Sequence, residues 1–496
     1  MARWAVCDRE RLARYEQPER GAPGHAPFAL LPQAEDDVGA ILRLATAQRV
    51  PLVISAGRTG LVEAQRPEGE AVLSLEKLDR PLAFRLADGR NFELGQGGGD
   101  SASALYGWWQ AQGAPDLSGA HLIVQAGIPV DAVNALLEPL AMMWPLEMGS
   151  SSAATAGACV ANASAGANAV CYGTAAHLCE CAWGFWADGG VAGPCAGPRW
   201  RAPAPQALAI DSTRIDSELG LIGSQGLFGV ITRLELRLQP RPAARESVLI
   251  PLPDMPAAVR LLAAARGVFG GDVEEFEFIG RAALELVMVH LGAAVTLPLP
   301  AGRLQPWSVL LQVKSQTDDG AELARRLYAF LSAYGIADDD IGYAPLPVLK
   351  RIRHSLTEAS NLRLRALGGG RLAFDTAVPA ERFGDYLAAL SARLAAQHPD
   401  LDLIAFGHAG VGGAHLHLLG SRDRPLSVHA AALVGLVFDV TAEFGGTFSA
   451  EHGVGPKWAA EFRRRMPAER VQKLAAEKRR RDPVGILNPR SFGLST

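Results

Sequence analysis

The stretch at 403–419, LIAFGHAGVGGAHLHLL, constrains this chain more than any other. An apolar run and an alternating run flank a glycine-rich turn, the pattern of an antiparallel hairpin. Closing it about the Val411–Gly412 bond sets His408 opposite His415, with Cβ atoms roughly 4.5 to 5.5 Å apart. Two imidazoles at that distance can share one metal ion. A carboxylate to complete such a site is available in GGTFSAEHGVG, where Glu451 and His452 lie between glycines. On an extended segment adjacent side chains point opposite ways, so Glu451 faces the metal and His452 faces away from it. Two His and one Glu leave an open coordination position, as catalytic sites do. The alternative is a set of scattered, hydrogen-bonded histidines. His417 shares the face of His415, as a fourth ligand or as a partner behind the ligands.

Upstream, three loops of small residues follow or precede strands. In EDDVGAILRLATAQRVPLVISAGRTGL, Val38, Ile41, Leu42 and Ala45 recur at helical spacing, and the strand from Pro51 then delivers SAGRTGL (55–61). Successive backbone N–H groups on such a turn bind phosphate oxygens, although it lacks the G-x-G-x-x-G of a Rossmann site. GSSSAATAGACVANASAG (149–166) is a second loop that lets backbone approach a flat ligand, and GSQGLFGVIT (223–232) is a third. GVITRLELRLQP alternates, with Leu234, Leu236 and Leu238 on one face and Arg233, Glu235 and Arg237 on the other, as a half-buried strand does. QPRPAARE after it reads as a linker.

From about Ser247 strands and long amphipathic helices alternate, which suggests a separate α+β domain. The runs Gly97 to Gly99 and Gly368 to Gly370 read as loop tips, and 91–120 as an inserted excursion. No internal repeat is visible. The length of 496 residues leads us to expect two or three domains. A net charge of −4, from 48 Lys+Arg against 52 Asp+Glu, argues against a nucleic-acid partner. No run of apolar residues makes a membrane span, and the charged start is unlike a secretory signal, so a cytoplasmic protein is expected. The basic clusters at 463–465 and 478–481 read as solvated helix faces, or as a docking patch for a partner or for the anionic inner face of a membrane. Cys7, Cys159, Cys171, Cys179, Cys181 and Cys195 lack the spacing of metal sites and read as reduced thiols.

Taken in order, VPLVISAGRTGL, WPLEMGSSSAATAGACVANASAG, LGLIGSQGLFGVIT, FGHAGVGGAHLH, GGTFSAEHGVG and DPVGILNP resemble the FAD-linked D-2-hydroxyacid dehydrogenases, the family of D-lactate dehydrogenases, the glycolate oxidase flavin subunit and D-2-hydroxyglutarate dehydrogenase. The resemblance runs from about residue 25 to 490. It implies an α+β chain: a PCMH-type FAD-binding domain (1–244), a ferredoxin-like cap or substrate domain with the metal hairpin (245–440), and a C-terminal segment returning to the flavin (441–496). It implies FAD-dependent oxidation of a D-2-hydroxy acid to the 2-oxo acid, with hydride transfer to flavin N5. A non-catalytic FAD-binding partner subunit and a flavin oxidase of another substrate stand as alternatives.

Residue by residue, the resemblance assigns Gly57, Arg58, Thr59, Gly60 and Leu61 to the FAD pyrophosphate. It assigns Pro145, Gly149, Ser150, Thr155, Asn162 and Gly166 to a second FAD loop, Ile231 to a third, and Asn488 to the flavin ring. His408, His415 and Glu451 correspond to ligands of a divalent metal, zinc with manganese or iron as alternatives, and His452 to the catalytic base. Arg353 and Thr357, four residues apart on one helix face, correspond to the clamp on the substrate carboxylate. With no His in SAGRTGL and no Cys in GSSSAAT, FAD is expected to be non-covalent. The implied partners are a small 2-hydroxy acid and an external electron acceptor (quinone, cytochrome or electron-transfer protein), with a homodimer as one possible assembly. The sequence departs from the family at Val411 and Gly413 in the hairpin turn, at His417, Gln225 and Cys171, and at Ala373, where a Lys holding a second carboxylate is replaced and Arg371 is close.

Overall fold

A computed structural model describes residues 2–94, 101–299 and 303–494; the glycine run at 97–99 lies outside the described residues. Helix α1 (Glu35–Gln48) starts where Asp37 accepts the backbone N–H groups of Gln33 and Ala34. It buries Val38, Ile41, Leu42 and Ala45, as their spacing predicts. The chain then enters β1 (Leu52–Ser55), which pairs in parallel with β2 (Ala71–Ser74). With Ala5–Val6 and Ala29–Leu30 they form a four-stranded sheet. The short helix α2 (Ala156–Asn162) follows the second small-residue loop.

A six-stranded antiparallel sheet carries β3 (Gly229–Arg237) between His121–Gln125 and Cys179–Trp186. The sequence predicts β3 to be half-buried, and the structure corrects this: Glu235 and Arg237 are buried too. Their face is covered because the charges are matched there. Glu235 meets Arg85 at 2.9 Å and His121 at 3.3 Å, and Arg237 binds Glu180 and three backbone carbonyls. The excursion at 91–120 supplies the edge strand Asn91–Glu93 and a helix, Ser101–Ala111, whose Trp108 stacks on Phe92.

The second half is built on one seven-stranded sheet. Its first strands are β4 (Ala244–Leu252), β5 (Val273–Gly280), β6 (Trp307–Ser315) and β7 (Gly342–Tyr343). Helix α3 (Met255–Phe269) lies between β4 and β5, and α4 (Gly320–Tyr334) between β6 and β7. The spatial order β7-β4-β6-β5 is the fourth-first-third-second order of a ferredoxin-like unit. Helices α5 (Leu346–His354) and α6 (Leu356–Leu367) lead to β8 (Gly368–Ala377). Helix α7 (Phe383–Gln397), β9 (Asp402–Gly407) and β10 (Gly413–Ser421) follow. These strands add as β5-β9-β10-β8, which repeats the first-third-second part of the same topology, so a repeat invisible in sequence exists in the fold. The glycines expected as a loop tip at 368–370 open β8 instead, across a register shift before Arg371.

The end of the chain packs on both halves. Trp458, Phe462 and Phe492 join the core under the large sheet, while Ile486 and Leu487 pack with Leu52 and α1. The basic clusters are largely paired: Arg464 and Arg465 with Glu461, Arg480 and Arg481 with Glu477. Lys478 departs from a solvated face, because its buried amine donates to Asp482 and to the carbonyls of Leu227 and Leu487. All six cysteines are free. Among the described residues no helix is long and apolar enough to cross a membrane.

Candidate active site

One cavity of ≈ 740 Å³ lies between the small-residue loops and the face of the large sheet. Gly57, Arg58, Thr59, Gly60, Leu61, Gly149, Ser150, Asn162, Gly166, Ile231 and Asn488 all line it. Pro145 and Thr155 do not. Both are buried behind the second loop, where Thr155 bridges to Pro129, so they shape the wall without reaching the cavity.

The first loop is built to meet an anion. Among the described residues the backbone N–H groups of Gly57 to Leu61 donate to no protein acceptor, and Gln65 holds the loop from behind through the carbonyl of Gly60 at 2.9 Å. A Cβ on Gly57 would lie 2.0 Å from the carbonyl of Ala153, so the two loops touch only because that residue is glycine. The Arg58 side chain turns to Glu76 at 3.2 Å; Arg58 therefore offers backbone. Ser55 Oγ beneath the loop is buried without a partner. Asn488 spends its amide on protein: Oδ1 accepts from Ile54 N at 3.0 Å, and Nδ2 donates to the carbonyls of Gln225 and Gly226. Gln225, in place of a Glu, binds Ser212 O and Val454 N and so ties this loop to the C-terminal segment.

The opposite wall holds the histidines. The hairpin forms, but with Phe406 opposite His415, so it closes about Gly410–Val411 and the expected register is corrected. Gly407, at φ 145°, takes the chain out of the ladder, and a tight turn, Ala409–Val411, follows. His408 leaves the strand and its ring swings back: the two Nε2 atoms are 3.3 Å apart with rings nearly perpendicular at 83°. Glu451 Oε1 lies 3.5 Å from His408 Nε2 and 3.1 Å from His415 Nε2. Donors about 2.0–2.1 Å from a tetrahedral ion stand about 3.4 Å from one another, so this triangle fits a shared cation. Glu451 Oε2, also buried, has no hydrogen-bond partner.

Behind the triangle, a residue not anticipated from sequence organises it. Glu277 on β5 is fully buried, accepting Arg353 Nε at 2.5 Å and lying 2.6 Å from His408 Nδ1. Burial pushes the His408 pKa down, but Glu277 and Glu451 carry it up to about 10. Two carboxylates around one imidazole thus call for a positive charge at this point, a proton or a metal ion. The signal for Glu277 was the alternation of VEEFEFIG, which aligns Glu275 and Glu277 on one strand face.

Glu451 and His452 were expected to point apart. They do not: His452 Nε2 lies 3.8 Å from Glu451 Oε1, and donor atoms of Asp375, His415, Glu451 and His452 fall within 4.8 Å of one another. The segment is bent because Asp375 Oδ2 accepts the backbone N–H groups of both residues at 2.8 Å. Burial holds the His452 pKa below its usual value, against the pull of Asp375 and Glu451, so the ring is neutral and able to take a proton. His417 stands outside this group, 2.8 Å from Ser360 Oγ.

Arg353 and Thr357 both line the cavity. They belong to two helices meeting at Ser355, not to the single helix expected. Glu277 fixes the Nε side of Arg353, and among the described residues no protein group accepts a hydrogen bond from Nη1 or Nη2.

Residues 241–492 match the C-terminal domain of the FAD linked oxidases, and 115–191 match an FAD binding domain. A D-2-hydroxyglutarate dehydrogenase of Xanthomonas citri pv. viticola is 28% identical over 473 residues, 93% of this chain and 88% of its own. The mitochondrial D-2-hydroxyglutarate dehydrogenase of Bos taurus is 25% identical, covering 95% of this chain and 77% of its own. Among solved structures, p-cresol methylhydroxylase matches with TM-score 0.64 at 14% identity, over 100% of this chain and 94% of that one. The 4-ethylphenol oxidase of Gulosibacter chungangensis also matches at 0.64, with 17% identity over 99% and 94%. These likenesses bear out the PCMH-type fold.

Proposed function

The chain belongs to the FAD-linked oxidases, and on that premise we propose that it oxidises a D-2-hydroxy acid, the substrate class of its D-2-hydroxyglutarate dehydrogenase relatives, to the 2-oxo acid. One observation carries the reading: a neutral imidazole, a His–His–Glu donor set and a half-free guanidinium face the glycine loops across a single cavity. The residues that would hold FAD, without a covalent bond, are Gly57 to Leu61 at the pyrophosphate and Gly149, Ser150, Asn162, Gly166, Ile231 and Asn488 along the remainder. When bound, FAD supplies the acceptor for the hydride leaving C2.

His408, His415 and Glu451 would hold a divalent cation, zinc with manganese or iron as alternatives, whose chemistry there is to acidify the substrate hydroxyl. Arg353, steadied by Glu277, binds the C1 carboxylate through its two free amino groups, and Thr357 adds a hydroxyl beside it. His452 takes the hydroxyl proton as C2 loses hydride. Asp375 keeps the ring turned toward that proton. The two electrons removed per turnover leave to an external acceptor.

Anaerobic addition of a panel of D-2-hydroxy acids to the yellow protein tests the proposal. At least one should bleach the flavin absorbance. A protein that holds FAD and is bleached by none contradicts the proposal, and leaves a non-catalytic flavin-binding subunit or a flavin oxidase of another substrate.

A further inference from the structure

Helix α5 is fixed to strand β5 by two ion pairs, one above the other. Glu275 and Glu277 stand two residues apart on one face of β5, and Lys350 and Arg353 stand three apart on one face of α5. Lys350 Nζ donates to Glu275 as Arg353 Nε donates to Glu277. Both carboxylates are fully buried, which a protein tolerates beside a cation. The Arg353 rung leads to the proposed substrate clamp. The Lys350 rung leads elsewhere, because the same amine also reaches Glu147 Oε1 at 2.8 Å.

Glu147 belongs to the other half of the molecule, at the neck of the second glycine loop. Its carbonyl accepts the N–H of Ala167 at 3.0 Å, and a Cβ on Gly166 would lie 2.4 Å from that same oxygen, so the loop closes on Glu147. Glu147 lines the cavity with Arg353 and with Gly149, Ser150 and Gly166, which are proposed to hold FAD. His354 Nε2 stands 3.8 Å from Glu147 Oε1, but burial lowers its pKa and leaves the ring neutral, so the cation that Glu147 meets is Lys350. Burial pushes the Glu275 pKa up to about 7, against the pull of Lys350 and with the help of Glu147. Without Lys350 that carboxyl keeps its proton at neutral pH, and a Lys350 variant therefore carries no bare charge in the core.

One ammonium thus joins three parts of the site: the loop for the cofactor, the strand behind the histidines and the helix that carries the clamp. We infer that Lys350 is a positioning residue that couples the two seats of the cavity, holding the second glycine loop in shape through Glu147 and setting Arg353 against that loop through Glu275. This rests on the reading of the reaction centre above, and its test is separable from that reading. A loosened loop weakens the seat for FAD, and a loosened α5 displaces the guanidinium from the substrate carboxylate. Loss of the single tie weakens both, as a coupling between two sites requires.

Release of FAD from the diluted holoenzyme is followed by flavin fluorescence, and the holoenzyme is titrated calorimetrically with oxalate, a carboxylate with no hydrogen on carbon to give up. In parallel, kcat and KM are measured for the D-2-hydroxy acid that bleaches the flavin fastest. Lys350→Met and Glu147→Gln remove charges of opposite sign. If the two residues acted on the anionic cofactor and substrate through their field alone, the first change would weaken binding of both and the second would strengthen it. The tie predicts one sign for both variants: FAD leaves about fivefold faster or more, oxalate binds about fivefold more weakly or more, and KM rises with kcat little changed. The double variant should be no worse than the worse single one, and Lys350→Arg, which can still span both carboxylates, should restore both ligands. Glu147→Gln, on a loop, keeps the test open where a change at Lys350 disturbs folding. Faster FAD release and weaker oxalate binding in both variants, with no acid oxidised by wild type, supports the tie and removes the proposed reaction. Flavin bleaching by a D-2-hydroxy acid, with the two variants moving in opposite directions, affecting one ligand alone or changing neither, overturns the tie and leaves the reaction.

Discussion

Asp375 grips His452 twice: its Oδ2 accepts the His452 backbone N–H at 2.8 Å and lies 3.4 Å from ring Nδ1. The same oxygen accepts the N–H of Glu451, so one carboxylate from β8 sets both the proposed base and a proposed metal ligand. Asp375→Asn keeps the shape and removes the charge. We expect kcat to fall about 10- to 100-fold with KM little changed, as for loss of a partner that orients a working imidazole. Stability should fall by about 1–3 kcal/mol from the weakened hydrogen bonds. A thermal shift accompanied by unaltered kcat would reduce Asp375 to a structural role.

Metal content separates Glu451 from its neighbour. Wild type should purify with about one divalent ion per chain and lose turnover to a chelator. Glu451→Gln, with a poorer ligand in the same geometry, should bind the ion more weakly, keep its FAD and regain activity with excess metal. If wild type contains no divalent ion and chelators leave turnover intact, the His408–His415–Glu451 assignment is wrong.

Arg353 bears two duties, toward Glu277 and toward the cavity. Arg353→Lys retains a charge for Glu277 but not the planar fork that binds a carboxylate in two places. The KM for a 2-hydroxy acid should rise about tenfold or more, and steady-state kinetics that match wild type would remove the clamp.

Much of this architecture was legible because local pattern and tertiary role agree. The α1 periodicity buries the residues its spacing implies, the glycine loops line the cavity, and the hairpin forms, although it closes about Gly410–Val411. The misreadings have a common cause in long-range contacts. The bend at Glu451 and His452 is imposed by Asp375 from β8, so a local rule for extended chain fails there. Glu277 escaped notice because a buried glutamate on a central strand is tolerable only beside Arg353 and His408, which arrive from α5 and the hairpin.

The central claim is that this cavity removes a hydride from C2 of a D-2-hydroxy acid while His452 takes the hydroxyl proton. Stopped-flow flavin bleaching under anaerobic conditions, with the D and L enantiomers of one acid on wild type and His452→Ala, tests it most directly. The account predicts rapid bleaching of wild type by the D enantiomer alone, and a rate about 10²- to 10⁴-fold lower in His452→Ala at unchanged FAD and metal content. Bleaching of His452→Ala at the wild-type rate, or equal bleaching of wild type by both enantiomers, would contradict it.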